Sequence, residues 1–124
     1  MNCFKIAVVL TATLFLAACH TGEPTLNATN ERTLERTFET VVEALPARER
    51  ESFVQDFGVV YASAALDHLG PDATQADLRS AMENTPEAVF EAIHERVHGR
   101  TASEIRRLAE EKRPALEQRL DGFQ

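Results

Sequence analysis

Between Pro46 and Gly70 lies ARERESFVQDFGVVYASAALDHL, residues 47–69, the longest stretch that can be read as one element. Phe53, Phe57, Val60, Tyr61, Ala64 and Ala65 recur in it at helical spacing. Val59-Val60-Tyr61 alone would suit a strand. The run is too long for one, however, and is flanked by helix formers. From Phe57 to Leu66 almost nothing is charged, as expected of a helix surrounded by other elements. Gly58, Ala62, Ser63 and Ala65 are small enough to let neighbours approach closely. The stretch therefore predicts a central helix, with Tyr61 as a core residue whose hydroxyl finds a partner.

Further helices are predicted on either side. Thr29 or Asn30 caps a first one, in which Leu34, Phe38, Val41, Val42 and Leu45 form an apolar stripe. Leu45-Pro46 ends it, and Pro46 opens the central helix. Gly70-Pro71 closes the central helix, and Thr74 with Asp77 caps a short successor carrying Leu78, Ala81 and Met82. Thr85 as cap and Pro86 as first residue start the next, with Val89, Phe90, Ile93 and Val97 inward and Gly99 as terminator. Thr101-Ala102-Ser103-Glu104 is a capping box for a last helix burying Ile105, Leu108 and Ala109. Pro114 is expected to kink or end that helix and leave residues 115–124 peripheral. No stretch reads as a convincing strand. The predicted fold class is all-α, a small antiparallel bundle of four to five helices spanning residues 30–124.

The N-terminus has a different character. Met1 to Lys5 is a short start with one positive side chain, and Ile6 to Leu16 is apolar except for Thr11 and Thr13. That run is too short to span a ~30 Å hydrocarbon layer, and it reads as a secretory signal over residues 1–18. Leu16-Ala17-Ala18-Cys19 resembles a bacterial lipobox. The resemblance implies cleavage before Cys19, a thioether-linked lipid on its sulfur and a fatty acyl group, such as palmitate, on its new amino terminus. Several chains would hold a membrane stably, where one holds marginally. Residues 19–29, with Gly22, Pro24 and little apolar content, read as the lipidated cysteine and a tether. Asn27-Ala28-Thr29 is a formal glycosylation sequon, read as chance in a bacterial lipoprotein.

With Cys3 removed and Cys19 lipidated, no thiol remains for a disulfide or a thiolate metal site. Loss of Lys5 takes the net charge from −7 to −8. Acidic residues concentrate before residue 94, which disfavours nucleic acid and favours an envelope protein with a basic surface as partner. Glu31, Glu35, Glu39 and Glu43 recur every fourth residue as a strip that is either a solvated helix face or a docking strip for such a partner. Phe53, Phe57 and Tyr61 either fill the core or line the cavity of an apolar-ligand carrier.

One motif has catalytic form. His94-Glu95-Arg96-Val97-His98 fits H-E-x-x-H, in which His94 and His98 would ligate zinc and Glu95 would activate water; Glu104 stands where some zinc proteases carry a third ligand. Three features oppose a zinc hydrolase. Gly99 should stop the helix after His98, Thr101 occupies the glycine position of the long motif, and no sheet is predicted beside the helix. The alternative is structural: His94 and His98 flank the Ile93/Val97 face, and His98 sits where a helix dipole favours positive charge. No phosphate loop, nucleophile elbow or cofactor motif is found, and the covalent lipid on Cys19 is the only group expected.

Val97-His98-Gly99-Arg100-Thr101-Ala102-Ser103-Glu104-Ile105 is similar to a signature of small bacterial lipoproteins of an uncharacterised domain family. Phe38, Leu45-Pro46 and Phe53 fit the same pattern. The resemblance implies a small helical lipoprotein and carries no known activity. His20 after the cysteine is not the aspartate that resembles an inner-membrane retention signal. The expectation is a non-enzymatic interaction or envelope-support module, lipid-anchored to the outer membrane and facing the periplasm.

Overall fold

The computed structural model describes residues 22–123; residues 1–21, including Cys19 and the stretches read above as leader and lipobox, and Gln124 lie outside them. Five helices follow in order: α1 (Glu31–Ala44), α2 (Ala47–Leu69), α3 (Gln75–Glu83), α4 (Glu87–Val97) and α5 (Ala102–Asp121). Among the described residues there is no strand, only an isolated antiparallel bridge between Thr25 and Thr101. The molecule is a small all-α helical bundle, as predicted.

Helix α2 is its axle. It packs against each of the other four helices, most extensively α5 and α4. Ala62 to Leu66 is buried without interruption, which explains the missing charges there. Around it close Val41 from α1, Val89, Ile93 and Val97 from α4, and Ile105 and Ala109 from α5. Phe38, Phe53 and Phe57 form an aromatic cluster between α1 and α2, with ring centroids 4.8–6.4 Å apart. Such pairs add specific geometry to the area they bury.

The ends are set by side chains. Asn30 accepts from the Thr33 N–H at 2.8 Å and caps α1. Thr74–Asp77 and Thr101–Glu104 form reciprocal capping boxes at α3 and α5. The backbone and hydroxyl of Thr74 hold the Asp77 carboxyl below its ordinary range. One predicted cap is corrected. Thr85 does not cap α4, because its hydroxyl is bonded to Tyr61 Oη at 2.7 Å; Pro86 stands at the cap with no side-chain bond.

The C-terminal expectation is also corrected. Helix α5 runs through Pro114 to Asp121 and buries Leu116. Arg113 pairs at 2.8 Å with Asp56, a carboxylate residue only 6% exposed in the middle of α2, and Arg119 donates to the Gly70 carbonyl. Interior proline disfavours a helix by ~3 kcal/mol. Three tertiary attachments around Pro114 offset that loss and keep the last turns on the bundle.

Two measurements follow. Arg113→Ala strands the Asp56 carboxylate and should cost about 1–3 kcal/mol in urea unfolding, reduced from a fully buried pair because Arg113 is partly solvated. The double change Asp56→Leu/Arg113→Leu should be closer to wild type, and equal or greater loss in the double variant would refute the assignment. For Asp77, the depressed folded value means its contribution is complete above the ordinary carboxylate value and lost as pH falls through the lowered one. Asp77→Asn should therefore lower stability at neutral pH and flatten the acid limb of the stability profile below about pH 4.

Candidate functional site

The segment before α1 is built into the domain. Leu26 is 1% exposed and Ala28 fully buried, so both belong to the core, while Thr25 is tied to Thr101 by a bridge and Asn27 to Thr37, and the tether reading does not hold for these four residues. The polar–apolar alternation of Thr25-Leu26-Asn27-Ala28 is the pattern of an extended strap with one face inward. The strap lies across the turn between α4 and α5. Leu26 N–H donates to the Arg100 carbonyl at 2.9 Å, and Gly99 N–H donates to the Leu26 carbonyl at 2.7 Å. Asn27 N–H is taken by Thr37 Oγ1 of α1 at 2.9 Å. Asn27 Oδ1 then accepts from the Thr29 backbone and hydroxyl, turning the chain into α1; the sequon residues thus form a local turn.

Ala28 carries the tightest requirement, since its N–H and C=O are both removed from water and both need partners. His98 and His94 supply them. Ala28 N–H donates to His98 Nδ1 at 3.0 Å, and His94 Nδ1 lies 2.7 Å from the Ala28 carbonyl. A carbonyl only accepts, so His94 carries its proton on Nδ1, whereas His98 Nδ1 carries none. The two rings stack with centroids 4.5 Å apart and planes 18° from parallel. Helical spacing of four residues places them one above the other, and the helix ends at Val97, so His98 is the cap with extended backbone. Gly99 follows at φ +76°, a conformation that suits glycine and aims its N–H at the strap.

This arrangement decides what the H-E-x-x-H residues do in the described fold. Each ring uses one nitrogen on the Ala28 peptide. A zinc ligand holds the ion in its own ring plane about 2 Å from nitrogen, whereas these two rings are stacked, with centroids 4.5 Å apart and planes 18° from parallel. Glu95 is exposed, and Glu104 turns back to the N-terminus of α5, 3.3 Å from the Thr101 N–H and 3.7 Å from Arg100. Among the described residues no group of three His, Cys, Asp or Glu side chains is gathered for a metal.

The acidic strip lies along the solvent side of α1, with Glu31, Glu35, Glu39 and Glu43 all exposed. Arg32 and Arg36 make no ion pair with it, since the four pairs among the described residues lie elsewhere. Of the aromatic residues proposed for a ligand cavity, Phe53 is buried in the core. Phe57 and Tyr61 are half-buried and face an open groove of ≈ 740 Å³ beside α1. Cys19 lies outside the described residues.

Fold and strap together define a small helical bundle whose N-terminal segment is clasped by its own histidines. The chain belongs to a family of unknown function, DUF6694, whose model matches residues 5–114. No curated protein and no solved structure matches it.

The clasp is tested by changing one acceptor. His98→Phe keeps a flat ring for stacking but strands a buried N–H, and should destabilise by about 1–3 kcal/mol in urea unfolding. His98→Gln, which restores an accepting oxygen, should recover part of that loss. Wild-type stability in His98→Phe would remove the clasp from the account.

Proposed function

We propose that this chain is an exported lipoprotein, anchored by lipid on Cys19 at the periplasmic face of the outer membrane, whose helical domain binds a partner and performs no catalysis. The observation that carries the reading is the clasped strap. Only residues 20–24 separate Cys19 from the bridge at Thr25. Six backbone steps reach about 20 Å when extended, so a lipid on Cys19 would hold the bundle against its membrane.

Other features support it. No described helix is long and apolar enough to cross a membrane, so covalent lipid would supply the attachment. The family match begins at residue 5, within the leader, and continues through the bundle. His94 and His98, the best catalytic candidates in the sequence, have structural work at Ala28. The acidic strip on α1 forms no ion pair among the described residues and is exposed to a basic envelope protein.

Cys19→Ser tests the anchor. Fractionation of expressing cells should find the wild-type chain with membranes and the variant released or left unprocessed. Mass spectrometry of the wild-type N-terminal peptide should show the leader gone and acyl chains added. A variant processed and retained like wild type would overturn the proposal.

A further inference from the structure

We infer that the groove between α1 and the α3–α4 junction is a docking site for a short, basic, amphipathic helix of a partner protein. The inference rests on the partner-binding reading above and gives that partner a chemistry. The groove is lined by apolar Leu34, Phe38, Phe57 and Phe90 with Tyr61, beside polar Asn84 and Thr85. Tyr61 Oη is already bonded to Thr85 Oγ1, so those two hydroxyls satisfy one another and the aromatic rings are left as the contact surface. Met82, 44% exposed, stands at the lip as the kind of adaptable apolar side chain that suits helix recognition.

The rim determines the sign of the occupant. Glu31, Glu35 and Glu83 border the groove, and among the described residues no lysine or arginine lines it. None of the three carboxylates forms an ion pair among the described residues. An apolar floor enclosed by uncompensated negative charge matches a ligand with apolar anchors on one face and positive charges beside them. An anionic lipid surface would be repelled by the same rim.

The shape favours a helix. The groove wall from Glu31 to Phe38 is about 11 Å long, two turns at 1.5 Å per residue. Apolar anchors at i, i+3, i+4 and i+7 on an incoming helix would span it, the usual helix-in-groove mode. The groove therefore uses the first half of the acidic strip, while Glu39 and Glu43 lie beyond it along α1.

The experiment uses the full chain in phosphatidylcholine nanodiscs, with empty nanodiscs as blank. The probe is a fluorescein-labelled amphipathic Leu/Lys peptide of about 14 residues, beside a Leu/Glu peptide of the same pattern. Fluorescence anisotropy should show saturable binding of the lysine peptide, about tenfold or more tighter than the glutamate peptide, weakening as salt rises. Glu31→Gln/Glu35→Gln/Glu83→Gln should lose at least about fivefold in affinity and most of the salt dependence. Met82→Ser should also weaken binding, at unchanged circular dichroism. Four results would overturn the inference: no binding above the blank, equal binding of the two peptides, an unaffected triple variant, or a groove filled by a second copy, seen as self-association lost in Met82→Ser. Any of these leaves the Cys19 anchor standing, because fractionation tests it separately.

Discussion

The backbone of a single buried residue, Ala28, constrains this fold more than any other feature. Ala28 has no exposure, so its N–H and its C=O, which belong to two successive peptide groups, both need protein partners. They come from two histidines that are 66 and 70 residues away in sequence and four apart on one helix. Meeting that demand fixes the strap on α4, the tautomers of both rings and the place where α4 ends. With Leu26 bonded to both Gly99 and Arg100, the turn between α4 and α5 becomes a receiver for the N-terminal segment. The stretch Gly99–Ile105 therefore has two duties. Its glycine and capping box shape the turn, and its backbone holds the strap.

The bundle beneath that turn is organised around a helix whose charges lie mostly near its two ends. Helix α2 can be enclosed along Ala62–Leu66 because those residues are small or apolar. Its one buried charged residue is Asp56, which is tolerated because Arg113 reaches it from α5. That pair also stands next to Pro114, so one polar contact both neutralises a carboxylate in the core and steadies a helix at its weakest residue. Arg96 makes a similar link from α4 to Asp67 at 2.7 Å, nearer the solvent.

Much of the architecture was legible because local chemistry determines it. Asn30, the two capping boxes, Leu45-Pro46 and Gly70-Pro71 all act within a few residues of themselves, and they delimit the helices as expected. The features that sequence reading missed depend on distant residues. Pro114 reads as a break until Arg113, Leu116 and Arg119 are seen attached to α2 and its end. Thr85 reads as a cap until its hydroxyl is seen on Tyr61. His94 and His98 carry a metal motif at the right spacing, and only a strap read as a tether shows what they bind. The alternation in Thr25–Ala28 was the one local sign of that strap, and it is too short to stand out beside Gly22 and Pro24. The acidic strip was visible as a pattern, but the aromatic groove under its first half was not, because residues from α1, α2, α3 and α4 all contribute.

The central claim is that residues 25–28 are an integral part of the domain. Amide hydrogen exchange at Leu26, Ala28 and Gly99 tests it most directly, read beside Val60 and Ala64 in α2. The account predicts that these three amides are protected and open together with the core, because each is hydrogen-bonded across the contact between strap and turn, to the Arg100 carbonyl, His98 Nδ1 and the Leu26 carbonyl. Exchange at the rate of an unstructured chain, with α2 still protected, would contradict it and return residues 25–28 to a free tether.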